Sequence, residues 1–100
     1  MAVGYTYILL CSNDTYYVGS TKYLEQRYQQ HCDGVGSNHT RKFPPVKLLY
    51  YEEFQHIGLA FAREHQIKGW SRRKKEALMA GDEQLLSKYA RSYMYHGHPK

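Results

Sequence analysis

The sequence predicts an α+β fold in which a small antiparallel sheet is flanked by helices. Three segments are rich in aromatic and aliphatic residues, which is typical of β-strands. Other segments have apolar residues at spacings of three and four, which is the period of a helix. The chain has 100 residues and contains no internal repeat or low-complexity linker. It therefore predicts a single domain over residues 1–100, with its core at about 4–80.

The first two strands, at about 5–11 and 15–20, are joined by a short polar turn and predict a β-hairpin. A three-residue loop would place Tyr7 opposite Gly19 and put Tyr7 and Tyr17 on the same face, within reach of each other. A two-residue loop would instead put the two tyrosines on opposite faces. Taken alone, the pair is also explained by aromatic packing across the strands.

The rest of the chain predicts one more strand and three helical segments. Glycines and polar residues at 33–38 predict a loop after the first helix. Alternation in the third strand puts Leu48 and Tyr50 on one face. The longest helix is interrupted in its pattern at Gly69, and Gly81 occupies a position that ends many helices. The predicted elements are a helix at 23–32 with Ser20 or Thr21 near its start, a strand at 46–54, helices at 58–80 and 83–93, and a frayed tail at 96–100.

Composition favours nucleic acid as the partner. Lysine and arginine exceed the acidic residues by five, and 11 of the 15 aromatic residues are tyrosine, which suits half-exposed surfaces. No apolar run is long enough to span a membrane, and no signal peptide is evident. Two cysteines favour a reduced, cytoplasmic setting, and the cysteines and histidines lack zinc-finger spacing. The sequence leaves protein partners unknown.

Polar residues interrupt the apolar stripe of the first helix. Arg27 and His31 lie on the same stripe as Leu24 and Tyr28, and buried polar groups need partners. They either lie at the wet margin of the stripe or face a cleft that receives an anion, for which arginine offers a planar fork of donors. Donors and positive charge at 37–42 indicate a loop that either holds phosphate or is a plain surface loop.

The long helix carries an acidic residue among apolar neighbours. Glu64 either forms a salt bridge with Arg63 or Lys68, or binds a hard divalent ion such as Mg²⁺ or Mn²⁺. One carboxylate makes a metal site only if phosphate and water complete the shell. The basic block at 72–75 is either a solvated face or a surface that follows phosphates.

Taken together, these residues resemble the GIY-YIG nuclease superfamily. The ordered set consists of Tyr5-Thr6-Tyr7, Tyr17-Val18-Gly19, Arg27, His31 and Glu64. The chain is most similar to the small single-domain bacterial members, which are related to the N-terminal domain of an excision-repair protein. The resemblance implies a three-stranded antiparallel sheet flanked by helices and hydrolysis of phosphodiester bonds in DNA with one divalent ion, Mg²⁺ or Mn²⁺. It also implies selectivity for damaged or branched DNA and a link to repair; RNA is a second possible substrate.

The resemblance assigns a role to each candidate residue. Glu64 would bind the metal, and Arg27 would stabilise charge on the scissile phosphate. Tyr7 and Tyr17 would position the attacking water, and His31 would assist proton transfer or bind phosphate. His39 is a weaker candidate of the same type. The residues predicted to contact nucleic acid are His39, Arg41, Lys42, Lys68, Arg72, Arg73, Lys74 and Lys75.

The chain departs from the family pattern at several positions. Tyr5 and Thr6 replace the first two residues of the first motif, and the late asparagine of many family nucleases is missing, with Asp82 a loose substitute. The alternative function is therefore a nucleic-acid-binding module with weak or no catalysis. A third hypothesis is a protein-interaction adaptor, which would not need the tyrosine, arginine and glutamate set.

Overall fold

A computed structural model describes residues 3–81, which form three strands and four helices. All strands pair antiparallel in the order β2-β1-β3, which confirms the predicted α+β fold. None of the helices between residues 3 and 81 has the length and apolar character that a membrane crossing needs. The predicted helix at 83–93, the tail and Asp82 lie outside the described residues. The elements are β1 (Gly4–Cys11), β2 (Tyr16–Thr21), α1 (Leu24–Cys32), α2 (Asn38–Lys42), β3 (Pro45–Phe54), α3 (Ile57–Lys68) and α4 (Arg72–Ala80).

The hairpin of β1 and β2 has the predicted register. Tyr7 pairs with Gly19, and Leu9 pairs with Tyr17. The turn between them contains Asp14 in the left-handed region, with φ of 65°, a conformation that aspartate tolerates better than most residues. The three-residue loop therefore forms, and Tyr7 and Tyr17 project from the same face of the sheet.

The central strand β1 is covered on both faces. Ile8 and Leu9, which point to opposite faces, are both fully buried. On one face, the Thr6 hydroxyl donates to the carbonyl of Ala60 in α3 at 2.7 Å. On the other face, the Tyr7 hydroxyl is 2.7 Å from Nε2 of His31 in α1. Helices on the two faces of the sheet thus both reach the same central strand.

The third strand contains an irregularity that the sequence pattern does not reveal. Ile8 pairs with Tyr50 but Leu9 pairs with Leu48, so Leu49 is an extra residue in β3. The bulge shifts the alternation by one position. The prediction that Leu48 and Tyr50 share a face is therefore wrong, and Leu48 lies on the face of Tyr51.

The helices differ from the prediction in two places. The predicted helix at 58–80 is two helices, because Ser71 caps α4 by accepting a hydrogen bond from the Lys74 amide at 3.1 Å. The segment at 37–42, predicted as a loop, is largely helix α2, in which Ser37 accepts from the Thr40 amide at 3.1 Å. As predicted, Gly81 ends α4 with φ of 72°.

The start of α1 also differs from the prediction. Its N-cap residue is Tyr23, which makes no side-chain cap, while the Thr21 hydroxyl accepts a hydrogen bond from the Tyr23 amide at 3.1 Å. The chain divides into two compact units between Lys68 and Gly69. The first unit contains the sheet with α1 to α3, and the second contains α4.

Candidate active site

A glycine on β2 makes room for a tyrosine on β1. A Cβ built on Gly19 would lie 2.5 Å from Cζ of Tyr7, so any side chain at Gly19 would collide with the ring. The ring of Tyr17 lies on the same face, with its centroid 6.5 Å from that of Tyr7. Tyr7 therefore occupies the space that the sequence leaves beside Gly19.

His31 lies behind the two tyrosines and is fully buried. Its Nε2 is 2.7 Å from the Tyr7 hydroxyl, and its Nδ1 is 2.7 Å from the Thr40 hydroxyl. Burial lowers the pKa of His31 to about 4, and the positive charge of Arg27 adds to this effect. With both ring nitrogens engaged by Tyr7 and Thr40, the neutral imidazole has none left for direct contact with phosphate.

The Tyr7 hydroxyl is as enclosed as the imidazole. The side chain is 2% exposed, and burial raises the pKa of the phenol well above its ordinary value of 10. The Arg27 guanidinium opposes this shift, while Tyr17 and Glu64 add to it. Tyr7 is thus a neutral phenol at neutral pH, and its deprotonation needs a positive group or an acceptor close by.

Arg27 is held in place by the segment that follows α1. One guanidinium nitrogen, Nη2, donates to the backbone carbonyl of Gly36 at 2.7 Å, and Nη1 donates to Oε1 of Gln30 at 3.0 Å. These two bonds occupy only part of the five-donor fork. The half-buried side chain therefore keeps donors for an anion in the cleft that it lines.

Glu64 projects from α3 toward the open edge of β2. Its side chain is buried, its Oε1 accepts a hydrogen bond from the Ser20 hydroxyl at 2.5 Å, and its Oε2 lies 2.6 Å from the Lys68 ammonium. The predicted ion pair with Lys68 therefore forms, whereas Arg63 pairs with Glu52 at 2.8 Å. The ion pair is solvent-accessible on its lysine side, so the carboxylate can exchange this partner for another cation.

The Glu64 carboxylate fits a metal site in which the protein supplies a single ligand. Among residues 3–81, no group of three or more histidine, cysteine, aspartate or glutamate side chains could enclose an ion. Glu64 supplies a hard oxygen donor at the wall of the cleft, which suits Mg²⁺ or Mn²⁺ when substrate phosphate and water supply the remaining ligands. The residues thus fit a site that is complete only with substrate bound.

One open cleft of about 450 Å³ is lined by four of the five residues predicted to act in catalysis or metal binding; His31 lies behind it. A larger groove of about 890 Å³, which runs beside Tyr5, Tyr23 and Tyr51, contains none of the residues predicted to act in catalysis or metal binding. The smaller cleft is therefore the candidate site. It is lined by Tyr7, Tyr17, Gly19, Ser20, Thr21, Lys22, Arg27, Ile57, Phe61 and Glu64.

Two of the residues predicted to bind nucleic acid lie against Tyr17. The His39 ring stacks on Tyr17, with 5.9 Å between ring centroids, and its Nε2 is 3.0 Å from the Thr15 hydroxyl. The Lys68 ammonium lies 5.9 Å from the centre of the Tyr17 ring. These contacts hold the Tyr17 ring at the cleft. Arg41 and Lys42 are exposed on α2, as a phosphate contact requires.

The basic block in the second compact unit is not a uniform surface. Lys74 is 1% exposed, and its ammonium lies 3.8 Å from the centre of the Trp70 ring. A buried cation on an aromatic face is a structural contact, so Lys74 does not belong to the predicted nucleic-acid surface. Arg72 and Arg73 are exposed, and Lys75 is partly buried.

Four residues of the site were not predicted. Thr40 contacts the imidazole and Ser37 contacts Thr40, while the Gly36 carbonyl accepts from Arg27 and Ser20 donates to Glu64. A Cβ built on Gly36 would lie 2.8 Å from Cγ of His31, which explains the glycine. The glycine-rich stretch after α1 was a visible signal of close approach, but the serines and the threonine had no signal beyond their polar side chains.

The fold and the cleft define a known class of protein. The sequence model of the GIY-YIG catalytic domain matches residues 3–77, which include every element from β1 to α3. The chain belongs to the GIY-YIG family, a nuclease superfamily.

Within that family, the chain is similar to the small proteins named UPF0213. It is 42% identical to the UPF0213 protein of Natronomonas pharaonis over 78% of this chain and 92% of the relative. It is 40% identical to the UPF0213 protein of Clostridium perfringens over 78% of this chain and 84% of the relative. A UPF0213 protein of Bacillus halodurans, solved by solution NMR, matches with a TM-score of 0.50 and 33% identity over 85% of this chain and 94% of that one.

Proposed function

We propose that this protein is a metal-dependent endonuclease that hydrolyses phosphodiester bonds in DNA. The observation that carries the proposal is the convergence of Tyr7, Tyr17, Arg27 and Glu64 on one cleft. These residues supply hydroxyls, a planar cation and a carboxylate, the groups that phosphodiester hydrolysis needs.

The cleft residues have separable tasks in this reaction. Arg27 keeps donors for the phosphate, and its position is set by the Gly36 carbonyl, so charge that develops on phosphate oxygens meets an oriented cation. Glu64 would hold the divalent ion, which acts as a Lewis acid on the scissile phosphate when bound. Lys68 would leave the carboxylate when that ion binds and would remain near the Tyr17 ring.

Tyr7 would take the proton of the attacking water. Its own proton would pass to Nε2 of His31, which lies 2.7 Å from the hydroxyl. Burial lowers the pKa of His31, so the imidazole is neutral at neutral pH and its Nε2 can hold a lone pair toward Tyr7, but it is also a weak base. The transfer therefore requires Arg27 and a bound cation to lower the pKa of the Tyr7 phenol. Tyr17 would orient the water from the other side, as its ring is held by His39.

A binding module without catalysis is the second candidate function. It is favoured by the 2.6 Å ion pair between Glu64 and Lys68, which already neutralises the carboxylate. The missing late asparagine points the same way. In this case the cleft would bind phosphate through Arg27 and would have no need of a metal.

Cleavage and binding of labelled substrates separate the two candidates. Single-stranded, duplex and branched DNA, damaged duplex and RNA would each be incubated with Mg²⁺, with Mn²⁺ and with chelator. We expect nicking that requires the metal and disappears in Glu64→Gln while binding persists. Glu25→Gln, which changes an exposed carboxylate outside the cleft, is the matched control and should remain active.

Each further outcome bears on a different part of the proposal. Binding of all substrates with no cleavage under any metal condition supports the binding module instead. Cleavage that survives in Glu64→Gln would remove the assigned metal ligand. Preference for branched or damaged DNA over intact duplex would support a role in repair.

A further inference from the structure

We propose that Thr40 is a positioning residue that fixes His31 in one tautomer, with the proton on Nδ1 and the lone pair of Nε2 facing Tyr7. The tautomer is inferred from the hydrogen-bond contacts of His31, whereas its importance for cleavage rests on the proposed function. Thr40 lies on α2 and does not line the cleft, so it acts through His31 and not on substrate.

The hydrogen bonds form a continuous chain from the cleft to α2. The chain runs from the Tyr7 hydroxyl to Nε2 of His31 and from Nδ1 to the Thr40 hydroxyl, with 2.7 Å at each step. Thr40 Oγ1 then lies 2.9 Å from Ser37 Oγ and 3.4 Å from the Ser37 carbonyl. His31 and Thr40 are both fully buried, so water does not compete for these bonds.

The protons along these hydrogen bonds can be assigned so that each group donates in the direction from Tyr7 to Ser37. The Tyr7 phenol is neutral, and within residues 3–81 its acceptor at hydrogen-bond distance is Nε2 of His31. Donation by Tyr7 into this contact places the lone pair on Nε2, so Nδ1 carries the proton and donates to Thr40. Thr40 in turn donates to Ser37, which offers two acceptor oxygens. Every proton has an acceptor in this arrangement.

The same arrangement suits the charged form of the imidazole. When the Tyr7 proton moves to Nε2, the ring becomes an imidazolium with donors on both nitrogens. Thr40 already accepts on the Nδ1 side, so no hydroxyl has to rotate during the transfer. With the opposite tautomer, Nε2 would already carry a proton and could not accept the one from Tyr7. A group that is oriented correctly before and after the step lowers the reorganisation that the step requires.

The segment at 36–40 positions two functional side chains together. The Gly36 carbonyl accepts from Arg27, while Thr40 engages His31. Gly36 also packs directly against the imidazole, since a Cβ there would lie 2.8 Å from Cγ of His31. Ser37 caps α2 and thereby holds Thr40 at its place in the first turn. The short helix α2 therefore acts as a support for the two polar residues of α1.

The direct test is the tautomer of His31 in the wild-type protein. Long-range ¹H–¹⁵N correlation spectra at neutral pH separate a protonated ring nitrogen from an unprotonated one. We expect Nδ1 protonated and Nε2 unprotonated. A neutral His31 with its proton on Nε2 would overturn the proposal. This measurement needs neither a variant nor catalytic activity, so it stands even if the endonuclease proposal fails.

Variants of Thr40 then test the positioning role. Thr40→Val keeps the shape of the side chain but removes the hydroxyl, and we expect mixed tautomers of His31 in it. We expect its kcat to fall ~10-fold or more with little change in KM, because the loss concerns proton transfer and not binding. Thr40→Ser keeps the hydroxyl and should restore both the single tautomer and most of kcat.

The failure modes are distinguishable. Thr40→Val with the wild-type tautomer and wild-type kcat would overturn the positioning role. Equal loss of kcat in Thr40→Val and Thr40→Ser would show that only the shape of the side chain matters. If Thr40→Val does not fold, Thr40→Ala tests the same contact, since it also removes the hydroxyl that faces Nδ1 of His31. Wild-type tautomer and kcat in Thr40→Ala would then contradict the proposal.

Discussion

At the scale of single residues, the site depends on two glycines that leave room for the rings beside them. Gly19 leaves space for the Tyr7 ring, and Gly36 leaves space for the imidazole of His31. The two rings then meet through a 2.7 Å hydrogen bond on the buried side of the cleft. Each of the two rings can therefore occupy its position only because the residue beside it is a glycine.

Replacing Tyr7 with phenylalanine tests the hydroxyl alone. The ring still fills the space beside Gly19, so we expect only about 1 kcal/mol of lost stability from the missing hydrogen bond to His31. Cleavage should fall ~100-fold or more, because the proton acceptor is gone. Steady-state kinetics and chemical denaturation measure the two effects. Tyr5→Phe, on the same strand but outside the cleft, is the control, and full activity of Tyr7→Phe would reject the catalytic role.

Adding a methyl group at Gly19 should displace Tyr7. The new Cβ would overlap the ring, and overpacking of this kind costs ~1–3 kcal/mol. We expect a lower Tm and reduced cleavage in Gly19→Ala. The matched control is Gly58→Ala in α3, where a Cβ would meet no atom within 4 Å and where alanine should stabilise the helix by up to about 0.5–1 kcal/mol. Wild-type stability and activity in Gly19→Ala would contradict this packing of the tyrosine ring.

Burial of His31 predicts a pH dependence of stability. Its pKa in the folded protein is about 4, below the ordinary 6.5, so the unfolded chain binds a proton more readily between these values. The free energy of unfolding therefore decreases as pH falls from 6.5 to 4, by an amount on the order of 2–3 kcal/mol for this residue. Urea denaturation at several pH values measures the slope.

Two variants isolate this contribution from those of the carboxylates. His31→Gln should be less stable than wild type at pH 7 but should show a shallower decrease toward pH 4. His56→Gln, at an exposed position, should keep the wild-type slope. An unchanged slope in His31→Gln would mean that the imidazole is not held neutral by burial.

At the scale of elements, the edge strand β2 and the short helices α2 and α4 determine which side chains meet at the site and which are exposed. The edge strand β2 carries Tyr17 on one face and Ser20 on the other, so its open edge brings the tyrosines of one face near the carboxylate of α3. Helix α2, only five residues long, anchors α1 through the contacts of Thr40. Helix α4 places charge unevenly, since Lys74 is buried and Arg72 and Arg73 are exposed.

The exposed arginines of α4 predict a salt-dependent effect on binding. Replacing Arg72 and Arg73 with glutamine should weaken DNA binding, and the slope of log affinity against log salt should fall by about 0.7–0.9 for each phosphate that is no longer neutralised. Arg72 pairs with Glu76 at 3.2 Å in an exposed i,i+4 contact, so little stability should be lost. Lys47→Gln, at an exposed position on β3, is the control for loss of charge alone. Unchanged affinity and slope would identify the arginines as a solvated face.

At the scale of the whole molecule, the excess of five positive charges is distributed over several surfaces. Arg27 lines the cleft, Arg41 and Lys42 lie exposed on α2, and Lys68 pairs with Glu64. Nucleic acid is the partner that such a distribution favours. The single domain over residues 1–100 and the cytoplasmic location stay predictions.

Most of the fold follows from local sequence patterns. Alternation of side chains and a three-residue turn determine the register of the β1–β2 hairpin, and with it the shared face of Tyr7 and Tyr17. Capping chemistry determines the end of α4 at Gly81. These features depend on residues that are close in the chain, so their periodicity can be read from the sequence.

Only the tertiary structure decided how the functional side chains meet. The Tyr7–His31 bond joins residues 24 apart, and the Ser20–Glu64 bond joins residues 44 apart. The bulge at Leu49, the burial of Lys74 on Trp70 and the support of His31 by Thr40 likewise depend on which surfaces pack together. Periodicity specifies which face of an element a residue lies on, but the partner on the facing element is set by the packing of the whole chain. The sequence by itself therefore determined the fold class, the hairpin register and the side chains proposed for the chemistry. The tertiary structure decided their hydrogen-bond partners and the residues that support them, because those contacts join segments far apart in the chain.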